Sequence, residues 1–322
     1  MTSRLLRALR LLPLLLLFSS AAPLCAAEQA YHRLVLLADP HLPGRSGAMK
    51  EKARADVNAW ADVEGVAVLG DLCNGVGTPE ELAAAKAYLG GFQAPVYPVG
   101  GNHDYAYAMV DGKMGRAGAS ERTANLERFR AAFGLDSVRY TRRLGGWLLV
   151  FLTPDDLETN YNAALSSGSL AWLEGELSRA KDAPTAVFFH APLKGTLRTK
   201  NAASERDGFV AQPHERIRAI LRKNPQVVLW ASGHVHVAPV NAHYAHKVNL
   251  FDGRVLNVHT PDMDGRSYLR AGDKETTTHE DLWSNSLFLY PDKVVVKTYD
   301  HRKGVWLEKL TREVKAKAAA AR

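Results

Sequence analysis

Cysteine is nearly absent from this 322-residue sequence: there are two, Cys25 and Cys73, and the first falls in a segment that reads as a leader. A mature chain with Cys73 alone has no internal disulfide, and a shortage of thiolates argues against a structural zinc site. Long apolar runs are missing too. The run Leu11–Phe18 is interrupted by Pro13 and falls short of the roughly 20 residues a spanning helix needs, and no other stretch comes closer. Pro- or Ser-rich linkers and internal repeats are lacking, as is a basic stripe interleaved with aromatics. Those absences argue against a string of domains and against a nucleic-acid groove. At 46% hydrophobic and 23% charged residues, the chain is neither disordered nor fibrous.

What is present begins with Arg4, Arg7 and Arg10, placed before the apolar run and followed by small residues ending in Cys25-Ala26-Ala27. A basic start, a short apolar stretch and small residues before a cut predict a secretory signal over 1–27, cleaved after Ala27. The protein is therefore expected to be periplasmic or secreted. An uncleaved anchor is the alternative, while Ala22-Pro23-Leu24 is a poor approach to a lipidated cysteine. The signal carries three arginines and no acid, so its loss lowers the formal charge of +7 by three. The remaining excess is mild and compatible with an anionic substrate.

From residue 28 onward, apolar strand-like runs alternate with helical patterns. Strands are expected at Leu34–Ala38, Val66–Leu69, Val96–Val99, Thr185–Phe189 and Val227–Ala231, with a hairpin Val138–Thr141/Trp147–Leu152 around Gly145-Gly146. Helices are expected at Met49–Trp60, after the Thr78-Pro79 start signal, and at Glu121–Phe133, Ser169–Lys181 and Pro213–Lys223. After Gly233, short strands at Val237–Val240, Lys247–Phe251, Val255–Val258, Ser286–Tyr290 and Val294–Tyr299 suggest a second sheet. Continuous apolar runs imply strands buried on both faces. The expected fold class is α/β: two packed mixed sheets flanked by helices, a four-layer α-β-β-α sandwich in one domain over 28–313. Tyr105–Ser120 and Pro261–Trp283 read as long loops, and 314–322 as a fraying tail.

Metal-ligand residue types follow these strands repeatedly. The first strand ends in Asp39-Pro40-His41, the second in Gly70-Asp71, and the third leads into Gly100-Gly101-Asn102-His103-Asp104. Later come His190-Ala191-Pro192 and Gly233-His234-Val235-His236. Each motif alone is weak, but strand ends on one sheet edge converge in space, where open α/β sheets bind ligands. Adjacent glycines allow sharp turns and close backbone approach. Mixed carboxylate, amide and imidazole donors suit Mn, Fe or Zn. Seven donors exceed one ion's needs and match two ions sharing a carboxylate, the arrangement used for in-line displacement at phosphorus.

The ordered set Asp-x-His, Gly-Asp, Gly-Asn-His-Asp, His-x-Pro and Gly-His-x-His, running from Leu34 to His236, resembles the calcineurin-like metallophosphoesterases. The resemblance implies the same two-sheet fold and two divalent metal ions. It assigns one ion to Asp39, His41, Asp71 and His236, and the other to Asp71, Asn102, His190 and His234. His103 would act as leaving-group acid or charge stabiliser, oriented by Asp104. Purple acid phosphatases carry a tyrosine three residues after the Gly-Asp aspartate; here that residue is Asn74, and His41 points to the phosphodiesterase-like branches. The implied activity is hydrolysis of small phosphodiesters by metal-bound hydroxide attacking phosphorus. Phosphomonoesterase or nucleotide or lipid pyrophosphohydrolase activity is the alternative, and a non-catalytic module the weakest reading because no ligand is missing.

Other residues have simpler explanations. Cys73 reads as a small buried loop residue, and Trp147, Trp172 and Trp230 as core. Lys194, Arg198, Lys200 and Arg206 either grip an anion or form a solvated loop. His243, His246 and His279 read as surface, and His259 as structural. Tyr105 and Tyr107 pack at the rim unless they stack a base.

Overall fold

In the computed structural model, residues 31–197, 206–268, 275–277 and 280–316 are described, so the expected signal segment 1–27 lies outside the described residues. The chain first lays down β1 (His32–Leu37), α1 (Gly47–Ala59), β2 (Val63–Leu69), α2 (Pro79–Leu89) and β3 (Val96–Val99). Next come α3 (Asn102–Tyr105), β4 (Tyr107–Val110), β5 (Lys113–Arg116), α4 (Ala119–Ala132), β6 (Arg139–Leu144) and β7 (Trp147–Leu152). Then follow α5 (Ser167–Arg179), β8 (Thr185–Phe189), α6 (His214–Lys223), β9 (Val227–Ser232), β10 (Leu250–Phe251) and β11 (Val255–His259). The last part holds β12 (Arg266–Tyr268), β13 (Glu275–Thr277), β14 (Trp283–Leu289), β15 (Lys293–Asp300), β16 (Val305–Trp306) and β17 (Arg312–Lys315).

Two large mixed sheets result. One has the order β16-β15-β14-β1-β2-β3, with β17 also on β15; the other runs β10-β11-β9-β8-β7-β6. Strands β1, β2 and β3 are parallel, as are β7, β8, β9 and β11, and the outer strands pair antiparallel. Side chains alternate across each strand, and the structure uses both faces. Leu34, Leu36, Ala67 and Leu69 meet Leu149, Phe151, Phe188 and Leu229 between the sheets. Val35, Leu37, Val66 and Val68 face the other way, against Ala53 and Val57 of α1, Leu82 and Ala85 of α2, and Phe129 of α4. On the far side, Val150, Val187 and Trp230 pack on Leu173 and Leu177 of α5 and Ile217, Ile220 and Leu221 of α6. This is the α-β-β-α layering expected of continuous apolar strands.

Local signals account for several boundaries. Thr78 accepts from Glu81 N while Glu81 returns a bond to Thr78 N, a capping box that starts α2 with Pro79 in its first turn. The β6–β7 hairpin turns at Gly145 and Gly146, both with positive φ (54° and 81°).

Six expectations need correcting. The strands after Gly233 do not make a separate sheet: β14 to β17 join β1, whereas β10 and β11 join β9. Val237–Val240 is no strand but a turn, closed by Asn241 N donating to Ala238 O. Lys247–Asn249 is a single 3-10 turn, capped by His246 accepting from Val248 N, and only Leu250–Phe251 is extended. Tyr105–Ser120 is not a long loop, because β4 and β5 form a hairpin there. Its turn is Asp111-Gly112, with φ 49° and 74°, a two-residue connection that matches strand twist. Pro261–Trp283 likewise contains the β12–β13 pair. At the other end, β17 runs through Lys315, two residues into the segment expected to fray, and 317–322 lie outside the described residues.

Candidate metal centre

The two sheets bring their loops together at one edge. Asp39 and His41 follow β1, Asp71 follows β2, Asn102 to Asp104 open α3 after β3, His190 follows β8, and His234 and His236 follow β9. All seven expected ligands meet there. Asp39, His41, Asp71 and His236 each offer a donor atom within 4.8 Å of the others, and Asp71, His190 and His234 do the same. Asp71 belongs to both groups. Asn102 joins the second, its Oδ1 lying 3.0 Å from His190 Nε2.

Backbone conformation aims these side chains. Asp39, His41, Asp71, His234 and His236 all have φ between 43° and 68°, the left-handed region that non-glycine residues avoid. Strain of this kind persists only where surrounding contacts enforce it, and it concentrates at functional sites. Asp39 N bonds Gly70 O at 3.1 Å and His41 N bonds Asp71 O at 3.0 Å, locking the first two loops together. Gly70 (φ 89°) lies under His190, where an added Cβ would come 2.3 Å from Nδ1.

The ring nitrogens are sorted by their partners. A carbonyl can only accept, so His190 donates from Nδ1 to Leu69 O (2.8 Å) and keeps Nε2 for the centre, 3.4 Å from Asp71 Oδ1. Both ring nitrogens of His41 and the Nε2 of His234 are buried without a hydrogen-bond partner. Buried polar atoms normally have one. Imidazole nitrogens left open beside carboxylates fit a bound dication, so the donor set passes the test of its chemistry. Burial pushes the Asp71 carboxyl up, but the neighbouring His190 and His103 outweigh it and hold it below the usual carboxylate range. For His190, burial pulls down and the Asp71 charge prevails, raising it to about 9. For His234 the Asp71 charge is outweighed; burial, with His190 next to it, holds it well below an ordinary histidine.

His103 sits half-buried at the mouth. Its backbone N–H donates to Asp71 Oδ1 (2.8 Å), and its ring lies edge-on to His41 and Tyr107, centroids 5.0 and 5.1 Å away. The expectation that Asp104 orients it is overturned. His103 Nδ1 donates to Gly75 O at 2.9 Å, while the Asp104 carboxylate accepts from Gly101 N (2.7 Å), Leu72 N (3.2 Å) and Cys73 N (2.8 Å). Asp104 staples the second-strand loop to the third. Burial and the Asp71 charge raise its pKa to about 6, against those three N–H groups.

One residue of the centre was not anticipated. Asp262, just past β11, is fully buried with Oδ2 3.6 Å from His41 Nε2 and 3.4 Å from His236 Nε2. Burial pushes its carboxyl well above the usual range. The available signal was an acid three residues beyond the end of β11, one residue farther than Asp39 and Asp71 lie beyond β1 and β2.

Cys73 is buried, and burial raises its thiol. Trp147 and Trp230 are core, and Trp172 packs at its edge. Tyr105 is buried with its hydroxyl donating to Asn162 O, which removes it from any stacking role, whereas Tyr107 stays half-buried beside His103. Lys194 pairs with Asp207 at 2.7 Å and Arg206 is exposed. Arg198, Lys200 and His279 lie outside the described residues. His246 is exposed and His243 half-buried beside it, while His259 is buried with Nε2 3.1 Å from Thr196 O.

A family model described as calcineurin-like phosphoesterase matches residues 32–238. The glycerophosphodiester phosphodiesterase GpdQ of Enterobacter lignolyticus is 30% identical over 220 residues, covering 63% of this chain and 70% of that protein. A 3',5'-cyclic-nucleotide phosphodiesterase of Nostoc sp. is 30% identical over 167 residues, 52% of this chain; the match spans 53% of that protein, about half its length. Among solved structures, a dimetal phosphatase from Danio rerio superposes with a TM-score of 0.60 at 14% identity, over 88% of this chain and 99% of that one. A purple acid phosphatase from yellow lupin gives 0.60 at 13%, over 89% and 54%. At such identities the likeness is one of fold.

Proposed function

The chain belongs to the calcineurin-like phosphoesterase family and is a metal-dependent phosphoric ester hydrolase; on that premise, we propose that it hydrolyses small phosphodiesters at a two-ion centre. The observation that carries the reading is the shared carboxylate of Asp71, common to two convergent donor groups. One divalent ion, Mn, Fe or Zn, would be held by Asp39, His41, Asp71 and His236, and a second by Asp71, Asn102, His190 and His234. Bound there, the pair would supply positive charge to the phosphoryl oxygens and acidify a water.

The chain's own residues supply the rest. With Nδ1–H held by the Gly75 carbonyl, His103 keeps Nε2 for the leaving oxygen. An alkoxide leaving from a diester needs a proton, and an imidazole is suited to give one near neutral pH. Asp104 acts on this histidine indirectly, by fixing the Gly101 backbone before it and the Leu72-Cys73 backbone that leads to its partner Gly75. The diester preference is supported by two relatives that are named as phosphodiesterases. We further propose that residues 1–27 direct export to the periplasm or exterior; N-terminal sequencing of the secreted protein should then begin at Glu28.

The test compares bis-p-nitrophenyl phosphate with p-nitrophenyl phosphate, using protein stripped of metal and reloaded separately with Mn, Zn or Fe. Metal-dependent turnover that favours the diester and is lost in His103→Ala is expected. Faster turnover of the monoester would contradict the diester assignment.

A further inference from the structure

We propose that Asp262 is a fifth protein ligand of the ion held by Asp39, His41, Asp71 and His236, an assignment that rests on the two-ion reading above. Its Oδ2 lies 3.4 Å from His236 Nε2 and 3.6 Å from His41 Nε2. The motif ligands are no closer to those same nitrogens: Asp39 Oδ1 is 3.5 Å from His236 Nε2, and Asp71 Oδ2 is 3.9 Å from His41 Nε2. Donors about 2.0–2.2 Å from a shared ion stand roughly 3–3.5 Å from one another, so Asp262 meets the spacing at least as well as they do.

The loop holds this acid in place. Asp262 Oδ1 accepts from Asp264 N and Arg266 N, Asp262 pairs with Ala38 as an isolated bridge, and Met263 N donates to Ala38 O at 3.1 Å. Asp264 continues the anchorage by accepting from Lys50 Nζ and Arg45 N, both at 2.7 Å. With Oδ1 engaged by the loop's own backbone, Oδ2 faces inward, buried and without a hydrogen bond. A buried carboxylate oxygen left that way costs free energy that a cation would recover. Arg266 Nη2 lies 3.2 Å from the same oxygen, so the competing role is to hold that guanidinium.

A third carboxylate makes the two ion sites unequal. Asp39, Asp71 and Asp262 surround the first ion with two imidazoles, whereas the second has Asp71 as its one carboxylate beside Asn102, His190 and His234. More anionic oxygen favours hard ions such as Mn and tighter retention at the first site.

Calorimetric titration of the full, metal-stripped chain with Mn2+ tests this. Wild type should bind two ions in a tight and a weaker class. Asp262→Asn keeps the Oδ1 acceptor and should weaken the tight class by about ten-fold or more, leaving the weaker one in place. Arg266→Ala should titrate like wild type. Asp262→Cys loaded with Co2+ gives an independent readout, a thiolate-to-cobalt charge-transfer band absent from wild type. Two ions in wild type with an unchanged Asp262→Asn titration, or no such band, would overturn the assignment alone. Loss of the tight class in Arg266→Ala as well would overturn it in favour of the guanidinium role. Fewer than two ions in wild type would overturn the two-ion reading, and this assignment with it.

Discussion

Both carboxylate oxygens of Asp39 accept the backbone N–H of His234, at 3.0 and 3.1 Å, and so tie the end of β1 in one sheet to the loop after β9 in the other. Asp39, a proposed ligand, is thus also a clasp between sheets. Asp39→Asn keeps an acceptor but loses the charge; it should fold normally and lose about 100-fold or more in diester turnover. Asp39→Ala also leaves His234 N–H unpaired, and its unfolding free energy from urea titration without metal should fall by about 1–3 kcal/mol.

Asp104 gives a second test, because the structure assigns it to three backbone N–H groups and not to His103. In Asp104→Asn one acceptor becomes an amide that faces a donor. The expected result is a stability loss of about 1–3 kcal/mol with the pH profile of the remaining activity unmoved. A shifted profile without a stability loss would return Asp104 to direct contact with His103.

Gly101 is confined by its neighbours. A Cβ there would lie 2.3 Å from both Asp71 N and Asp71 Oδ1, and backbone cannot yield as a flexible side chain does. Gly101→Ala should therefore displace Asp71 and leave the folded protein with fewer than two bound ions, as measured by metal analysis after gel filtration.

His259 sets a pH dependence of stability. Burial lowers its pKa from 6.5 to about 4, so the unfolded chain binds the extra proton first. Stability from this group is full above about pH 6.5 and is lost as pH falls, by roughly 3 kcal/mol near pH 4. His259→Gln retains a donor for Thr196 O and should flatten that part of the curve of urea midpoint against pH.

Much of this centre was legible in the sequence because strand ends and ligand types coincide: Asp39, His41, Asp71, Asn102, His190, His234 and His236 all lie at a strand's C-terminal end. The capping signal at Thr78 and the Gly145-Gly146 turn were equally plain. The Asp111-Gly112 hairpin carried its own signal, masked by weak strand patterns on either side. Sheet membership of β14 and β15 was not readable, since pairing of β14 with β1 joins Leu34 to Leu287, a contact with no local trace. Asp262 was hidden for the same reason: it follows a strand whose neighbour, β9, comes from earlier in the chain. The left-handed backbone at five non-glycine site residues is imposed by tertiary contacts and opposes their intrinsic preference.

Low-temperature electron paramagnetic resonance of the protein loaded with two equivalents of Mn2+ bears most directly on the shared role of Asp71. Two ions about 3.5–4 Å apart under one carboxylate should give an exchange-coupled multiline spectrum, collapsing to an isolated six-line signal in Asp71→Asn. Two bound ions in wild type with only the sum of isolated six-line signals would contradict a shared carboxylate.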